Sequence, residues 1–497
     1  MAFSCFPDIF SWIESLPPIL QWKSQSTSLH LCPSNLLQPS LKLSLNNFKN
    51  STLTLSIFAD YNLPVLLWTS KNITLKSDFK ILSITQDDDT IYTLLTNLIE
   101  SILEYSPNKC PSFLKLPKKQ NIYLKDIFNF TILTLCFIIC IYEAPNDLRS
   151  ACLESLKDQL SCPKSRGVSR VLMRMLGSNA EELWMRSMNL AITNWISELQ
   201  ASQAGFKTPS PLFSYSVSML GLWKVQLYCP LIAMDVEKRS DPTPDDNLLF
   251  SLNYHQLEGV IQMNYKVRIQ EKWIEVMVNT DNIRCDVIKL LTNTLMAERG
   301  AGTSEKHFPS RIALQITPTT QSNVISISVS KSSDNPQLEI GVEKALEASF
   351  EPLNTNIGLN FSSAETATMT MKPWKFEQSV WGNSAKLDWF LHDMSRDGRE
   401  VYSSKPSKLA MIHPKAWFRN RYSSAYRPFT RSGGVVFAGD EYGESVSWKV
   451  DKGCMGKNME WEVKGWIWLT YWPNMHRGFY SETRRLEFRE ILDLTLI

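Results

Sequence analysis

The sequence predicts an α+β protein: a β-rich N-terminal part over 1–86, a helical region over 87–205, and a larger antiparallel β-sandwich over 206–497 that is tryptophan-rich at its C-terminal end. Three patterns predict it. Apolar and polar residues alternate around Lys42–Leu45 and Thr52–Phe58; apolar residues recur at i, i+3, i+4 and i+7 from Ile91 to Leu103; and alternation returns, many times over, beyond Pro209. Period two marks half-buried strands and period 3.6 marks a helix with one buried face.

Taken in order, LKLSL and TLTLSIF predict two strands of a small antiparallel sheet, with Asn46-Asn47 as the turn between them. The acidic run Asp87-Asp88-Asp89 reads as the N-terminal cap and first turn of the helix that follows, where carboxylates meet the positive end of the dipole. Further helices are expected over Ile122–Glu143, Asp147–Leu160, Gly167–Leu176 and Glu181–Gln200, the last entered through Ser178 and Asn179. Arg166, Arg170 and Arg174 share one helix face, and the expectation is that this stripe faces solvent.

From Pro209 onward, loops and strands take over. Glu237–Asn247 is polar enough to be a loop, and Ile261–Ile269 and Ile274–Val278 alternate around Gln270-Glu271-Lys272 as a hairpin. A helix is expected over Val287–Arg299, then strands over Arg311–Thr317, Val324–Val329, Leu338–Val342, Ile357–Phe361, Glu460–Tyr471 and Arg485–Leu494. Many strands with few helices suggest a sandwich or barrel.

The 497 residues carry 52 Lys+Arg against 50 Asp+Glu, a net charge of +2, which argues against blanket polyanion binding. The 10 cysteines are widely spaced with no C-x-x-C, so they read as reduced thiols and not as a disulfide framework or zinc site. The first residues lack the basic start of a signal peptide, and no arginine precedes Arg149, which disfavours a transit peptide. A cytoplasmic or nuclear location is therefore expected. The uncharged run Ile127–Tyr142 would rise about 24 Å as a helix, short of the roughly 30 Å of a bilayer core. A central core helix is the favoured reading, a membrane-associated segment the alternative, and a membrane partner is not expected.

No phosphate-binding, dinucleotide, zincin or serine-nucleophile motif occurs. Gly300–His307 imitates a phosphate cradle but follows an expected helix where such a cradle precedes one, and it reads as a loop. The six histidines are far apart, no metal site and no cofactor are expected, and no catalytic residue can be nominated.

Two aromatic features stand out. Nine of the 16 tryptophans lie in the last quarter of the chain. On the strand Glu460–Tyr471, Trp461, Val463, Ile467, Leu469 and Tyr471 share one face, while Glu462, Lys464, Trp466, Trp468 and Trp472 share the other. The first face is core. The second is either covered or an interaction surface, since tryptophan contributes much contact area at low entropic cost. Upstream, Lys405–Arg431 contains no acid and interleaves Trp417, Arg419, Arg421, Tyr422 and Arg427, a composition that fits a pinned loop, a protein-binding hot spot, or a site for single-stranded nucleic acid or another anion.

ERGAGTSEKHFPSR at Glu298–Arg311 and WEVKGWIWLTYW near the end resemble a plant-specific group of proteins of unknown function, along most of the chain. The resemblance implies a plant source and supplies no catalytic residues. The expected function is non-catalytic binding of protein partners through the Trp/Arg-rich C-terminal region, with the oligomeric state left open. The rival is an enzyme whose site forms between the helical and β parts.

Overall fold

The structure is a computed structural model that describes residues 7–22, 24–32, 40–48, 52–74, 88–107, 114, 116, 123–201, 212–237, 249–291, 306–330, 339–347, 362–370, 374–391, 435–437, 445–472 and 482–496. It is α+β, with a helical middle and a β-rich C-terminal half. The chain opens with α1 (Ile9–Ser15), then β1 (Ser26–His30), β2 (Ser40–Phe48), β3 (Thr52–Asp60), β4 (Val65–Thr69) and β5 (Ile73–Thr74), which form one antiparallel sheet. The Asn46-Asn47 turn is not observed. Both residues lie inside β2, opposite Thr54 and Leu53, and Asn46 donates from Nδ2 to Ser56 Oγ at 3.0 Å, so the ladder absorbs them.

The helices are α2 (Asp88–Leu103), α3 (Leu124–Tyr142), α4 (Asn146–Ser161), α5 (Pro163–Leu176) and α6 (Ser178–Ala201). As its spacing predicts, α2 buries Ile91, Leu94, Leu95, Leu98, Ile99 and Ile102. α5 starts four residues earlier than expected, because Pro163 has no N–H to leave unpaired and Cys162 caps the first turn. Gly177, at φ 76°, separates α5 from α6 in a left-handed conformation that a side chain would strain.

α3 is long and apolar enough to cross a membrane, but it is the core helix of this half: Ile127, Phe128 and every residue from Phe130 to Ile141 are buried, and α1, α2, α4, α5 and α6 pack around it. One apolar core joins the N-terminal sheet to these helices. Among the described cysteines, Cys32, Cys136, Cys140 and Cys152 are reduced and buried in it.

The C-terminal half comprises β6 (Phe213–Met219), β7 (Leu222–Glu237), β8 (Leu249–Ile269), β9 (Trp273–Leu291), β10 (Lys306–Pro318), β11 (Val324–Val329), β12 (Glu339–Glu347), β13 (Ser362–Thr370), β14 (Trp374–Trp381), β15 (Ser384–Leu391), β16 (Val435–Phe437), β17 (Ser445–Asp451), β18 (Asn458–Trp472) and β19 (Glu482–Thr495). A seven-stranded sheet, β11-β17-β9-β8-β7-β6 with β16 beside β9, faces a five-stranded sheet, β14-β15-β10-β18-β19, while β12 and β13 pair with each other. Val287–Leu291, expected to open a helix, instead prolongs β9, because Val287 pairs with Leu257 of β8 and the ladder continues to Leu291. Ile357–Phe361, Gly300–Glu305 and 238–247 lie outside the described residues.

Between the sheets, Trp461 meets Trp448 at 4.7 Å and Trp223 at 5.8 Å between ring centroids, and Trp389 meets Phe376 at 5.1 Å. These rings fill the second core, so most of the described C-terminal tryptophans are packing residues. Both margins of the sandwich are stitched. Serines at alternate positions of β6 reach β19: Ser216 Oγ donates to the Ile491 carbonyl at 2.8 Å, and Ser218 Oγ accepts from Asp493 N–H at 2.9 Å. At the other margin Gln378 Nε2 donates to Ser330 Oγ at 2.7 Å, next to the end of β11.

On β18, Gly465 stands opposite Phe488, whose ring occupies the space a Cβ would fill; a methyl group there would come within 2.0 Å of it. Gly465→Ala should therefore lower stability by about 1–3 kcal/mol through overpacking. Chemical denaturation measures this, and Gly465→Ala paired with Phe488→Leu should recover part of the loss.

Candidate binding face

The outward face of the five-stranded sheet is built by alternation and by one irregularity. On β18, Trp461, Val463, Ile467 and Leu469 point into the core, and Lys464, Trp466 and Trp468 lie half-exposed on the other side. On β10 the pairing shifts between Pro309 and Arg311, leaving Ser310 as an extra residue. That bulge changes parity, so Arg311, Ala313, Gln315 and Thr317 come to the outward face opposite Trp468, Trp466, Lys464 and Glu462.

Pairing across the sheet arranges these residues in rows. The first reads Lys375, Phe390, Arg311, Trp468, Arg485; the second Glu377, Asp388, Ala313, Trp466, Glu487; the third Ser379, Lys386, Gln315, Lys464, Arg489. The first row thus alternates cations with aromatic rings. The Arg311 guanidinium lies 4.5 Å from the centroid of Phe390 and 4.5 Å from that of Trp468, one ring on each side. Its Nη2 and Nε donate to Asp388 Oδ1 at 2.7 and 3.2 Å, and its side chain is only 16% exposed.

Neighbouring rows neutralise each other along the strands. Lys375 meets Glu377 at 2.6 Å, Lys386 meets Asp388 at 3.1 Å, Arg485 meets Glu487 at 2.6 Å, and Trp466 Nε1 donates to Glu487 at 3.0 Å. Burial pushes the Glu462 carboxyl up, but hydrogen bonds from Lys464 and Arg489 outweigh it and hold that group below its usual range. Six cations face four carboxylates here, and the carboxylates are all paired. An open cleft of about 390 Å³ lies over β14 and β15, lined by Arg311, Lys375, Glu377, Lys386, Asp388 and Phe390 among others. Stacking and charge pairing are the chemistry this surface offers.

Of the residues singled out in the sequence, Trp466 and Trp468 occupy this face, and Trp472 ends the same strand opposite Lys306. Trp417, Arg419, Arg421, Tyr422 and Arg427 lie outside the described residues, in sequence between Leu391 of β15 and Val435 of β16. Arg311, Phe390, Lys375 and Arg485 are the functional candidates that sequence reasoning missed. The alternation of β10 held the signal, but without the Ser310 bulge its phase relative to β18 could not be assigned. Among the described residues no group of three or more His, Cys, Asp or Glu could hold a metal ion.

The second candidate is the seam between α6 and the outward face of the seven-stranded sheet. Arg186 donates from Nε and Nη2 to Glu258 at 2.8 and 3.1 Å, Gln256 also donates to Glu258 at 2.8 Å, and Asn189 donates to Gln256 at 2.7 Å. Glu181, 3% exposed, accepts from the Tyr228 hydroxyl at 2.6 Å. Burial raises its proton affinity despite hydrogen bonds from Tyr215 and Tyr228 and the nearby Lys224, with Glu182 adding to the rise. The arginine stripe of α5 is largely exposed, as expected of a solvated face, with Arg166 and Arg174 open to solvent, but two of its members also reach this junction. Arg170 pairs with buried Glu490 at 3.2 Å, and Arg174 donates to the Ser216 carbonyl, so two of its members dock the helices on β6 and β19. Glu181, Glu258 and Glu490 are already held by named donors, so the seam reads as a fastener.

No protein-family model and no curated protein matches the chain. Among solved structures, the NetB toxin of Clostridium perfringens in its membrane-inserted form is similar at 11% identity with a TM-score of 0.19, over 57% of this chain and 100% of that chain. A TM-score that low carries no conclusion about fold or activity.

Two outcomes test the geometry. Arg311→Ala should cost about 1–3 kcal/mol, because it removes a stacked side chain and leaves Asp388 with only Lys386; equilibrium unfolding measures it. The raised affinity of Glu181 means its contribution is fully present below the ordinary glutamate range, near about pH 4.3, and fades as pH rises through the folded value. Glu181→Gln should therefore raise the Tm relative to wild type at neutral pH, with the gap closing at about pH 4 and below.

Proposed function

We propose that this chain is a non-catalytic binding protein that works inside the cell, in cytoplasm or nucleus, and takes a protein partner on the outward face of its five-stranded sheet. One observation carries the reading: the row Lys375, Phe390, Arg311, Trp468, Arg485, with Arg311 fixed between two rings and Trp466 beside it. Rigid aromatic and arginine side chains are the usual anchors of protein interfaces, because little entropy remains to be lost when they are covered. The paired charges around them would set orientation and association rate more than affinity. The enzyme alternative draws support from the titratable groups of the α6 seam, but these are engaged with one another.

Affinity capture with the full chain tests the reading. Trp466→Ala combined with Lys375→Glu and Arg485→Glu should lose partners that wild type retains, while its Tm stays near wild type because these side chains are at least partly exposed. An unchanged partner set would remove the proposal. If single-stranded oligonucleotides bind instead, and Arg419→Ala or Arg421→Ala lowers the salt slope by about one, the chain serves an anionic ligand.

A further inference from the structure

Four cysteines meet where the N-terminal sheet lies against the helices. Cys32 follows β1, Cys136 and Cys140 stand one turn apart on the same side of α3, and Cys152 belongs to α4. All four are buried: Cys32 is 5% exposed, Cys152 1%, and Cys136 and Cys140 0%. They come from three separate parts of the chain, and Cys32 lies within electrostatic reach of the other three.

Leu41 of β2 fixes the closest pair. Leu31 N–H donates to the Leu41 carbonyl at 2.8 Å, which holds the chain immediately before Cys32. As α4 packs on β2, the Leu41 backbone N–H donates in turn to the Cys152 sulfur. The two side chains therefore converge, and the Cys32 thiol hydrogen-bonds Cys152.

This arrangement makes the two sulfurs unlike each other. The hydrogen bond from Cys32, joined by that from Leu41, outweighs burial at Cys152 and lowers its proton affinity, whereas the donor Cys32 is pushed up by the same bond and by burial. Burial also pushes up Cys136 and Cys140, the latter to about 12. One of the four is thus disposed to become a thiolate with a protonated thiol beside it, which is the asymmetry of a nucleophile and its resolving partner. The pair sits toward the margin of the core. β1 is an edge strand, exposed or half-buried along its length, and Tyr61, which lies within electrostatic reach of Cys152 and Cys140, donates from its hydroxyl to Asp147 at 2.7 Å near the surface. A small, uncharged oxidant is the reagent suited to such a place.

We propose that Cys32 and Cys152 form a reversible redox pair that takes hydrogen peroxide as oxidant, Cys152 reacting first and Cys32 closing a disulfide. The Cys152 thiolate displaces hydroxide from peroxide as the O–O bond breaks, and becomes a sulfenic acid. The Cys32 sulfur then attacks that sulfur, forming the S–S bond and releasing water with its own proton. Two electrons leave the pair, and the peroxide ends as two waters once the hydroxide recovers the proton that Cys152 had released. In a reducing compartment the bridge is transient. While it lasts, it ties the chain after β1 covalently to α4, 120 positions away in sequence, and it leaves the sheet face assigned to a protein partner untouched.

Peptide mapping of the full chain tests this. The reduced protein is treated with hydrogen peroxide, its remaining thiols are blocked with N-ethylmaleimide, and the proteolytic fragments are identified by mass. A Cys32–Cys152 cross-linked peptide should be the main disulfide product and should revert with dithiothreitol. The same treatment in denaturing urea should lose that preference, because only the fold brings the two sulfurs together. In peroxide with dimedone, Cys32→Ala should leave a labelled sulfenic acid at Cys152, whereas Cys152→Ala should leave Cys32 unlabelled. If either variant fails to fold, the wild-type maps in the folded and unfolded states decide. No Cys32–Cys152 peptide from the folded chain, a main product that joins either sulfur to another cysteine, an equal yield from the unfolded chain, or dimedone on Cys32 in folded Cys152→Ala would overturn the proposal.

Discussion

A helix with no polar face dictates the N-terminal half of the molecule. From Ile127 to Ile141, α3 offers water almost nothing it can hydrogen-bond; its two threonines turn back to carbonyls one turn earlier, Thr131 to Ile127 and Thr134 to Phe130. Such a cylinder must be enclosed on all sides or leave the aqueous phase. Here α1, α2, α4, α5 and α6 surround it, and the N-terminal sheet joins the same core.

Enclosing α3 leaves the polar sides of α5 and α6 to meet the C-terminal sheets. Tyr215 and Tyr228 share the helical core, and around them the meeting is polar. Arg186 with Glu258, Arg170 with Glu490 and Tyr228 with Glu181 set a fixed pattern of donors and acceptors across it, and any slip of one helical turn would strand a buried carboxylate. The seam thus orients the sandwich on the helical half, while the sandwich's own stability comes from the indoles between its sheets.

Much of this architecture was written in local pattern. The stripe of α2, the hairpin at Gln270–Lys272 and the two faces of β18 follow directly from spacing. The departures share a cause, which is tertiary pairing overriding local preference. Asn46-Asn47 looks like a turn, yet the ladder with β3 runs through it; Val287–Leu291 has a helical composition, yet β8 holds it as strand. Of the candidate surface, the tryptophans were legible and their partners were not. Arg311 sits 157 residues before Trp468, and only the register of β10 against β18 brings the two together.

Ser310 shows how narrow the coding of such a surface is. Parity along a strand is a binary property, and the extra residue at this position flips it once, midway through β10. Loss of that single codon would return β10 to uninterrupted alternation, moving Arg311 and Gln315 toward the tryptophan-filled interior or throwing Lys306 and Phe308 out of phase. A substitution at Ser310 changes one side chain, whereas an in-frame deletion re-sorts a whole strand. In β10, therefore, the number of residues constrains this surface more tightly than the identity of the residue at 310.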